Sequence, residues 1–517
     1  MIAMKERKIP YKKVLLWSLG SCGLVIFLIC MYGQPTFHWT RAASIISYMS
    51  EKQVSELNCL SRTHKLLNQK NLQKFAMSAK LDKAWRQYGE MHRLCSNGKN
   101  LKNVFLNRQR ENNTCKYLVF LEPRYGLGNR ILALVSAFMY ALATDRVLLI
   151  EPKKLLEQLL CEPFPGSHWL LPRDFPTATI AKSPTLGAAI KAGYRNMDVV
   201  NLHLEHTHDW GDDEFLCDNT HQFLKDIRWL GWTSNQYYVS QLFMIPSLWE
   251  RLDALFPSKT EVFPQLARLI LLPRNDVWKH IEHVYQDYDL DSTVQVGVQV
   301  RTLHRKNAEA FDPVIHKQIV DCLLMHKVLP DAKTQGNLSE LSGLFPTKQG
   351  ASQVTEISVL VASLQVKYYD ELKAFYRDNP SVHVHMVSHL GHQDKSVHQA
   401  HFAFLEMWLL SFSNVIATSA FSTFGYVAQG IGGLQPLILN IMGENSEHDG
   451  QPLCTVGQSS EPCTQFPLKP FCKATNTTVE HQNWITQHLN ACQDDAGGLQ
   501  LVESVKGSQG SGNKQRR

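Results

Sequence analysis

The residues of this chain that could most readily do chemistry lie in a hydroxyl-rich run at 415–430. A strand-like apolar stretch gives way there to Ser419, Ser422 and Thr423, and a helix-like sequence follows. The first N–H groups of a helix have no partner within the helix and lie at the positive end of its dipole, so hydroxyls beside them can help to bind a diphosphate. Serine and threonine are also ordinary helix N-caps, and the motif alone leaves both interpretations open.

A second turn of similar form precedes the helix-like stretch at 131–144. Gly126 and Gly128 would let the backbone approach a ligand. Asn129 can cap a helix or donate a hydrogen bond, and Arg130 offers a planar fork to oxygen-rich partners. The turn lacks the third glycine and the distal acid of a dinucleotide fingerprint, so it predicts a ligand contact and not an NAD site.

Arg301 ends a stretch at 294–302 that is rich in β-branched residues and predicts a strand. A guanidinium at the end of a strand can clamp a phosphate, because its planar fork matches phosphate geometry. Pairing with a nearby carboxylate is the ordinary alternative for a single arginine, and it stays open.

Residues that ligate metals occur without the spacing of a metal site. Asp289 and Asp291 have D-x-D form directly before a predicted strand, which favours a solvated loop. The densest other cluster lacks the H-E-x-x-H pattern of a zinc-binding helix. It consists of His203, His206, His208 and Asp209. No metal site is predicted.

Strand-like and helix-like stretches alternate between residues 356 and 440. The strand-like stretches are 358–364, 382–388, 415–420 and 434–440. Strands separated by helical stretches of roughly 10 to 15 residues indicate parallel βαβ units, and open parallel sheets bind ligands beyond the carboxyl ends of their strands. The sequence therefore predicts an α/β fold with residues 418–425 at its ligand-binding edge.

Together these segments closely resemble the plant xyloglucan fucosyltransferase family of Golgi enzymes. The resemblance covers most of residues 57–475, and its most specific elements are 126–132 with 140–149, 161–166 with 169–172, 299–301 and 418–433. It implies a GT-B glycosyltransferase fold of two Rossmann-like domains, with GDP-fucose as donor substrate and no cofactor or essential metal. It also implies inverting transfer to a cell-wall polysaccharide or proteoglycan, for instance to O2 of a terminal galactose of xyloglucan.

The resemblance also implies roles for individual residues. Arg301 is expected to contact the diphosphate and to act in catalysis, with Ser419 nearby. The donor pocket is expected to be lined by Ser422, Thr423, Phe424, Gly425 and Tyr426. Glu406, on an apolar helical face, is expected to orient Arg301 or a guanine edge, or to be a capped or ion-paired core carboxylate. The turn that contains Gly126, Gly128, Asn129 and Arg130 is expected on the acceptor side of the cleft.

The general base is not assigned by the sequence. His304 and Asp312 follow the Arg301 strand and are candidates to face the cleft, with an exposed loop position as the alternative. The family commonly carries an acid at the position of His304, a lysine at that of Phe402 and a tryptophan at that of Phe421. Altered donor preference or reduced activity therefore stays open. So do fucosylation of arabinogalactan or another glycan, and a weakly active glycan-binding scaffold. For either function, assembly as a homo-oligomer or in a Golgi complex stays open.

Composition agrees with a large globular protein. The 517 residues, 44% of them hydrophobic, suffice for two cores of ordinary domain size. The net charge is only +6, and basic residues are dispersed except at the termini. Nucleic-acid binding is therefore not predicted.

Residues 14–33 form an uncharged stretch that is long enough to cross roughly 30 Å of hydrocarbon. Basic residues precede it, so the positive-inside rule predicts a cytosolic tail at 1–13. A cleaved signal peptide is the alternative, but its apolar core would be shorter, roughly 7 to 15 residues, and no clear A-x-A follows. The sequence predicts a signal anchor with single-pass type II topology, and the resemblance implies a Golgi membrane with the catalytic domain in the lumen.

Ten of the 12 cysteines lie beyond the predicted anchor. They are Cys59, Cys95, Cys115, Cys161, Cys217, Cys322, Cys454, Cys463, Cys472 and Cys492. Their even number permits full pairing in an oxidising compartment, with the connectivity left open. Glycosylation sequons at Asn112, Asn337 and Asn476 are compatible with secretory passage.

Composition also sets coarse domain limits. The predicted joint between the two Rossmann-like domains is the turn at 273–275, and the small, polar end of the chain predicts disorder. The predicted parts are a lumenal stem at 34–56, an acceptor-side domain at 57–275, a GDP-fucose-binding domain at 276–445, a cysteine-containing segment at 446–495 and a disordered tail at 496–517.

Overall fold

The structure is a computed structural model. It describes residues 59–63, 77–96, 100–107, 115–193, 197–206, 210–291, 293–302, 312–333, 356–388, 396–440, 453–470, 472 and 477–504. The predicted tail, anchor and stem lie outside these ranges, as do His304, His208, Asp209 and the three sequons. Within the described ranges, no helix is long and apolar enough to span a membrane.

The first part of the chain builds a parallel sheet of four strands in the order β2-β1-β4-β3. Its strands are β1 Tyr117–Leu121, β2 Val147–Ile150, β3 Val199–Leu204 and β4 Trp229–Ser234. The helices of this part are α1 Leu60–Thr63, α2 Ala79–Ser96, α3 Leu101–Leu106, α4 Leu127–Ala143, α5 Leu155–Leu159, α6 Thr177–Ala181, α7 Leu186–Lys191, α8 Asp218–Leu224, α9 Val239–Leu242, α10 Pro246–Leu255 and α11 Val262–Ile270.

The second part builds a six-stranded sheet in the order β10-β9-β8-β5-β6-β7, parallel except for β10. Its strands are β5 Val294–Val300, β6 Ile357–Ser363, β7 Val382–Met386, β8 Val415–Ser419, β9 Leu437–Leu439 and β10 Cys454–Val456. Its helices are α12 Asn275–Asp287, α13 Pro313–Met325, α14 Val366–Phe375, α15 Val397–Ser411 and α16 Thr423–Gly432. The prediction of an α/β fold with parallel sheets is confirmed.

The strand order puts β5 at a topological switch point. The chain runs from β5 outward through β6 to β7, and then returns to the other side of β5 at β8. Crossover connections leave in opposite directions from such a point, which opens a crevice at the carboxyl ends of the two central strands. Arg301 and the turn after β8 both lie at that edge.

The helix α4 is apolar on all sides and lies almost wholly in the core. A helix of this kind needs packing partners all around it. One hydrophobic cluster includes residues of α4, α11, α15 and α16, and both sheets belong to one compact unit. The helix α12 starts at Asn275, within the predicted joint at 273–275, and packs on α15 through Trp278 and Trp408.

The last part of the chain comprises α17 Val479–His488 and an antiparallel pair, β11 Leu489–Ala491 and β12 Leu499–Leu501. The expectation of disorder from residue 496 is therefore wrong for residues up to 504. Leu501 and Val502 are buried, and this apolar contact holds the segment against the fold although its sequence is otherwise polar.

All ten predicted cysteines are paired in the structure. The disulfides are Cys59–Cys161, Cys95–Cys115, Cys217–Cys472, Cys322–Cys454 and Cys463–Cys492. Two of these bonds leave the C-terminal segment for different parts of the fold, since Cys472 bonds the first part and Cys454 bonds α13 in the second.

A buried carboxyl group also anchors the C-terminal segment. Glu461 accepts hydrogen bonds from the Tyr237 hydroxyl and the Phe263 amide, both at 2.7 Å. Burial raises the pKa of Glu461 to about 8, against a lowering by these hydrogen bonds. The side chain is therefore neutral at mildly acidic pH.

We expect Glu461 to make stability pH-dependent. The unfolded chain releases this proton near pH 4.5, whereas the folded protein keeps it up to about pH 8. The stabilisation by Glu461 is therefore full below about pH 4.5 and is lost as the pH rises through about 8. Glu461→Gln stays neutral and should lack this loss.

The measurement is chemical denaturation of both proteins across that pH window. The stability of wild type relative to Glu461→Gln should fall as the pH rises. Glu480→Gln, at an exposed acid of α17, serves as control. A difference between wild type and Glu461→Gln that stays constant with pH would show that Glu461 is ionised in the folded protein.

Candidate active site

A cavity of about 440 Å³ lies where turns from both parts of the fold meet. The turn after β1 contributes residues 124–128 and Arg130. The carboxyl ends of β5 and β6 and the residues after β7 contribute Gln299, Val300, Arg301, Ala362, Ser363, Leu364 and Ser388. The helices α5, α15 and α16, with the N-cap of α15, contribute Leu155, Ser396, Gln399, Ala400, Ala403, Glu406, Met407, Thr423 and Phe424. The cavity therefore occupies the ligand-binding edge that the strand order predicts.

The two glycine- and hydroxyl-containing turns meet directly at this cavity. A Cβ on Gly128 would lie 2.7 Å from the carbonyl carbon of Thr423 and 2.8 Å from its Oγ1. The Thr423 hydroxyl also donates to Asn129 Oδ1 at 3.2 Å. The start of α4 thus packs against the start of α16, and only glycine permits this approach.

Arg301 is the half-buried cation of the cavity. Its backbone N–H donates to Ser419 Oγ at 2.8 Å, which ties the end of β5 to the end of β8. Within the described ranges no carboxylate contacts its guanidinium, and its pKa is lowered by burial without an opposing carboxylate. A cation in this state lowers its free energy by binding an anion.

Arg130 lies in the same cavity but has a carboxylate partner. Its NH1 forms a short ion pair with Glu122, and its Nε donates to the Tyr125 carbonyl at 2.7 Å. Glu122 also accepts the first amides of α5, from Leu155 and Leu156. Arg130 therefore forms a structural ion pair, the ordinary role of a single arginine. Its side chain still forms part of the cavity wall.

Glu406 is a buried carboxyl group that faces the cavity from α15. Its Oε1 accepts the Ser388 amide at 3.0 Å, and within the described ranges no group donates to its Oε2. Burial raises its pKa to about 8, against a lowering by the Ser388 amide. No ion pair joins it to Arg301, so it is a separate polar group in the cavity, neutral near pH 7 when the cavity is empty.

Other predicted donor residues lie beside the cavity and hold its walls. Ser419 is bonded between β5 and β8, and Ser422 caps α16 by accepting the Gly425 amide at 3.3 Å. Gly425 is packed against Thr418, and the Tyr426 hydroxyl donates to Asp494 at 2.6 Å.

Asn129 and Asp312, both predicted to lie at the cleft, form hydrogen bonds within the fold. Asn129 bonds Thr423 and the Asn235 carbonyl. Asp312 does not line the cavity, because it is the N-cap of α13 and accepts the Val314 amide at 2.8 Å. A helix-capping carboxylate is held by the amides it bonds, which explains its place outside the cleft.

Several residues that line the cavity were missed by sequence reasoning. They are Arg124, Tyr125, Gln299, Ser363, Ser388, Ser396 and Gln399. Ser363 and Ser388 end or follow parallel strands, so the rule that ligands bind beyond the carboxyl ends of strands is a signal that could have found them. Arg124 is exposed and adds positive charge at the mouth of the cavity.

We expect Gly128→Ala to be destabilising, because the new methyl group would overlap the Thr423 backbone. Overpacking of this kind costs about 1–3 kcal/mol. Gly126→Ala is the matched control, since its methyl group would lie no closer than 3.8 Å to Asn129 Oδ1. Thermal unfolding should show a lower Tm for Gly128→Ala only, and equal Tm values would contradict the close approach of α4 and α16.

The arrangement suits a polyanionic ligand. Arg301, which has no carboxylate partner among the described residues, the exposed Arg124 and the N-terminal turn of α16 all face one crevice. Glu406 adds an acceptor for ligand N–H groups. The cavity can therefore hold a nucleoside diphosphate with its phosphates towards Arg301.

Known proteins that are similar to this chain share one family description. A family model described as xyloglucan fucosyltransferase matches residues 40–473. The chain is similar to galactoside 2-alpha-L-fucosyltransferase of Pisum sativum, with 35% identity over 87% of this chain and 80% of the relative. Fucosyltransferase 2 of Arabidopsis thaliana is 34% identical over 86% of this chain and 85% of its own length.

A solved structure is also similar to the chain. It is an Arabidopsis thaliana FUT1 mutant in complex with GDP, with 32% identity, a TM-score of 0.73, and coverage of 86% of this chain and 97% of the other. The resemblance drawn from the separated motifs is confirmed. This chain belongs to the xyloglucan fucosyltransferase family.

Proposed function

We propose that this protein transfers fucose from GDP-fucose to a hydroxyl of a cell-wall glycan, O2 of a terminal galactose in xyloglucan, with inversion at the sugar carbon. The single observation that carries the proposal is Arg301. Its guanidinium faces a cavity at the switch point of a parallel sheet and has no carboxylate partner in the described ranges. The GDP in the similar solved structure supports a nucleotide donor.

The donor diphosphate would lie between Arg301 and the start of α16. When the bond between fucose and phosphate breaks, negative charge builds on the departing GDP. Arg301 and the amides at Thr423 and Phe424 would stabilise that charge. In this proposal they supply the positive charge for the reaction, without an essential metal or another cofactor.

The guanine base would lie towards Glu406. The edge of guanine carries N–H donors, and Glu406, which lines the cavity, has a second carboxyl oxygen to which no described residue donates. The Ser388 amide fixes the orientation of the carboxyl group. The base would thereby orient the nucleotide with its diphosphate at the end of β5.

The acceptor would approach from the turn after β1. Arg124 and Tyr125 form that wall of the cavity, and Gly126 keeps the backbone accessible. An acceptor hydroxyl on the side of the fucose opposite the diphosphate would give inversion. The names of the pea relative and of the family support galactose in xyloglucan as the acceptor.

The proposed location is the Golgi lumen, with residues 14–33 as a type II anchor. The disulfides support an oxidising compartment, since such bonds persist in the secretory pathway. In that setting the protein would meet its glycan acceptor before export, alone or in a complex.

We expect Arg301→Lys to lower kcat/KM for GDP-fucose by about 10²–10³. A flexible ammonium cannot form the two parallel hydrogen bonds of a guanidinium to a diphosphate, although the charge is kept. The assay is GDP release from GDP-fucose with xyloglucan, without added metal. Arg377→Lys, at an exposed arginine away from the cavity, is the control.

Near-native turnover by folded Arg301→Lys would reject Arg301 as the diphosphate clamp. Linkage analysis of the product would identify the acceptor hydroxyl. Turnover with arabinogalactan but not with xyloglucan would replace the proposed acceptor and leave the proposed fucosyl transfer unchanged. GDP binding without turnover on any plant glycan would indicate a scaffold.

We expect GDP binding to depend on the ionisation of Glu406. The carboxyl group of the empty protein has a pKa of about 8, and guanine donors favour its ionised form. Binding should therefore release a proton below about pH 8, and GDP affinity should rise with pH towards that value. The rise is limited to about tenfold per pH unit for one proton.

Calorimetry of GDP binding across pH tests this expectation. Glu406→Gln should lose the pH dependence that this proton causes. Glu461→Gln should keep it, because Glu461 has a similarly raised pKa but lies outside the cavity. The same pH profile in wild type and Glu406→Gln would remove Glu406 from the base-binding role.

A further inference from the structure

The turn before α16 is held by the C-terminal segment. Phe421 has a φ of 58°, in the left-handed region that a bulky L-residue rarely adopts. Its amide donates to Asp494 Oδ2 at 3.0 Å, and its carbonyl accepts from Gln465 Nε2 at 3.1 Å. Two side chains from a distant part of the sequence thus bond both backbone groups of the strained residue.

Asp494 also bonds the first turn of the helix. The Tyr426 hydroxyl donates to the same Oδ2 at 2.6 Å. Burial, and then the neighbouring Asp494, raise the pKa of Tyr426 well above its ordinary value, so the phenol stays protonated and donates. One carboxylate oxygen therefore joins the strained turn to α16.

The segment that carries Asp494 is itself fixed. The disulfide Cys463–Cys492 ends two residues before Asp494. Gly498 packs against this disulfide, since a Cβ there would lie 2.5 Å from Cys463 Sγ. Thr464 and Leu499 exchange both backbone hydrogen bonds at 2.9 Å. Asp494 is thus held on a rigid support.

We propose that Asp494 is a positioning residue of the donor site, which keeps Phe421 in the left-handed conformation and thereby sets the place of Thr423 and Phe424. Those two residues line the cavity two and three positions further along the chain. Asp494 does not line the cavity and acts through the backbone of the turn. The inference rests on the proposed function in one respect, namely that this cavity holds the GDP part of the donor.

Glycine at position 421 separates positioning from general stability. Glycine adopts a φ near 58° without the steric cost that phenylalanine pays. If Asp494 acts by holding this conformation, Phe421→Gly should make the turn less dependent on Asp494. If Asp494 only stabilises the fold, adding Phe421→Gly to Asp494→Ala restores neither GDP affinity nor the KM for GDP-fucose.

The experiment uses the full-length chain and four variants: Asp494→Ala, Phe421→Gly, the double variant, and Glu480→Ala as an exposed acid of the same segment. Asp494→Ala should weaken GDP binding and raise the KM for GDP-fucose by about tenfold or more, the factor expected for a hydrogen bond to a charged group. The double variant should recover most of that loss. Glu480→Ala should match wild type.

Unchanged GDP affinity and KM in Asp494→Ala would overturn the proposal. An equal loss of GDP affinity in Asp494→Ala and in the double variant would overturn it as well. If Asp494→Ala does not fold, Asp494→Asn replaces it, which keeps an acceptor oxygen but loses its charge and should show a smaller loss of the same kind.

Hydrogen exchange at residues 420–426 is a readout that needs neither GDP nor turnover. Faster exchange in Asp494→Ala, with unchanged exchange in α4, supports the proposal, and unchanged exchange in the turn overturns it. A wild-type protein that fails to bind GDP would count against the proposed function alone, because this readout still tests Asp494.

Discussion

Gly128 at the start of α4 lies against the backbone of Thr423 at the start of α16 so closely that no side chain fits between them. Each helix follows a strand of a different sheet, so this one approach brings the ligand-binding edges of both sheets to a single crevice. The Thr423–Asn129 hydrogen bond also fixes the orientation of the two helix ends relative to each other. Because α4 is buried on all sides, its neighbours leave little room for it to shift.

The charge of the cavity depends on a difference between Arg130 and Arg301. Arg130 is paired with Glu122, which also accepts the first amides of α5. The positive charge of Arg130 therefore has a structural role. Arg301 is half-buried without a carboxylate in the described ranges. Among the described residues that line the cavity, Glu406 is the one acid, and it is neutral near pH 7 because burial raises its pKa to about 8. The described residues thus give the empty cavity a positive charge, and an anionic ligand would offset the cost of burying Arg301 without a carboxylate partner among them.

The sequence predicts the sheets and their ligand-binding edge because the alternation of strands and helices is a local pattern. It also predicts that the turns at Gly128, Arg301 and Thr423 share a site, and the structure brings these three together. It does not reveal which hydroxyls face the ligand. Ser422 and Tyr426 look like binding residues in the sequence, but one caps α16 and the other bonds Asp494, which is remote along the chain.

The C-terminal segment limits how the two sheets can move. Cys472 is bonded to Cys217 in the first part of the fold, and Cys454 is bonded to Cys322 in the second. Only a short length of chain separates Cys454 from Cys472, so the two covalent bonds act as a strap across both parts. Glu461 within that strap and Asp494 after it add buried and half-buried hydrogen bonds. A wide opening between α4 and α16 would have to stretch these links.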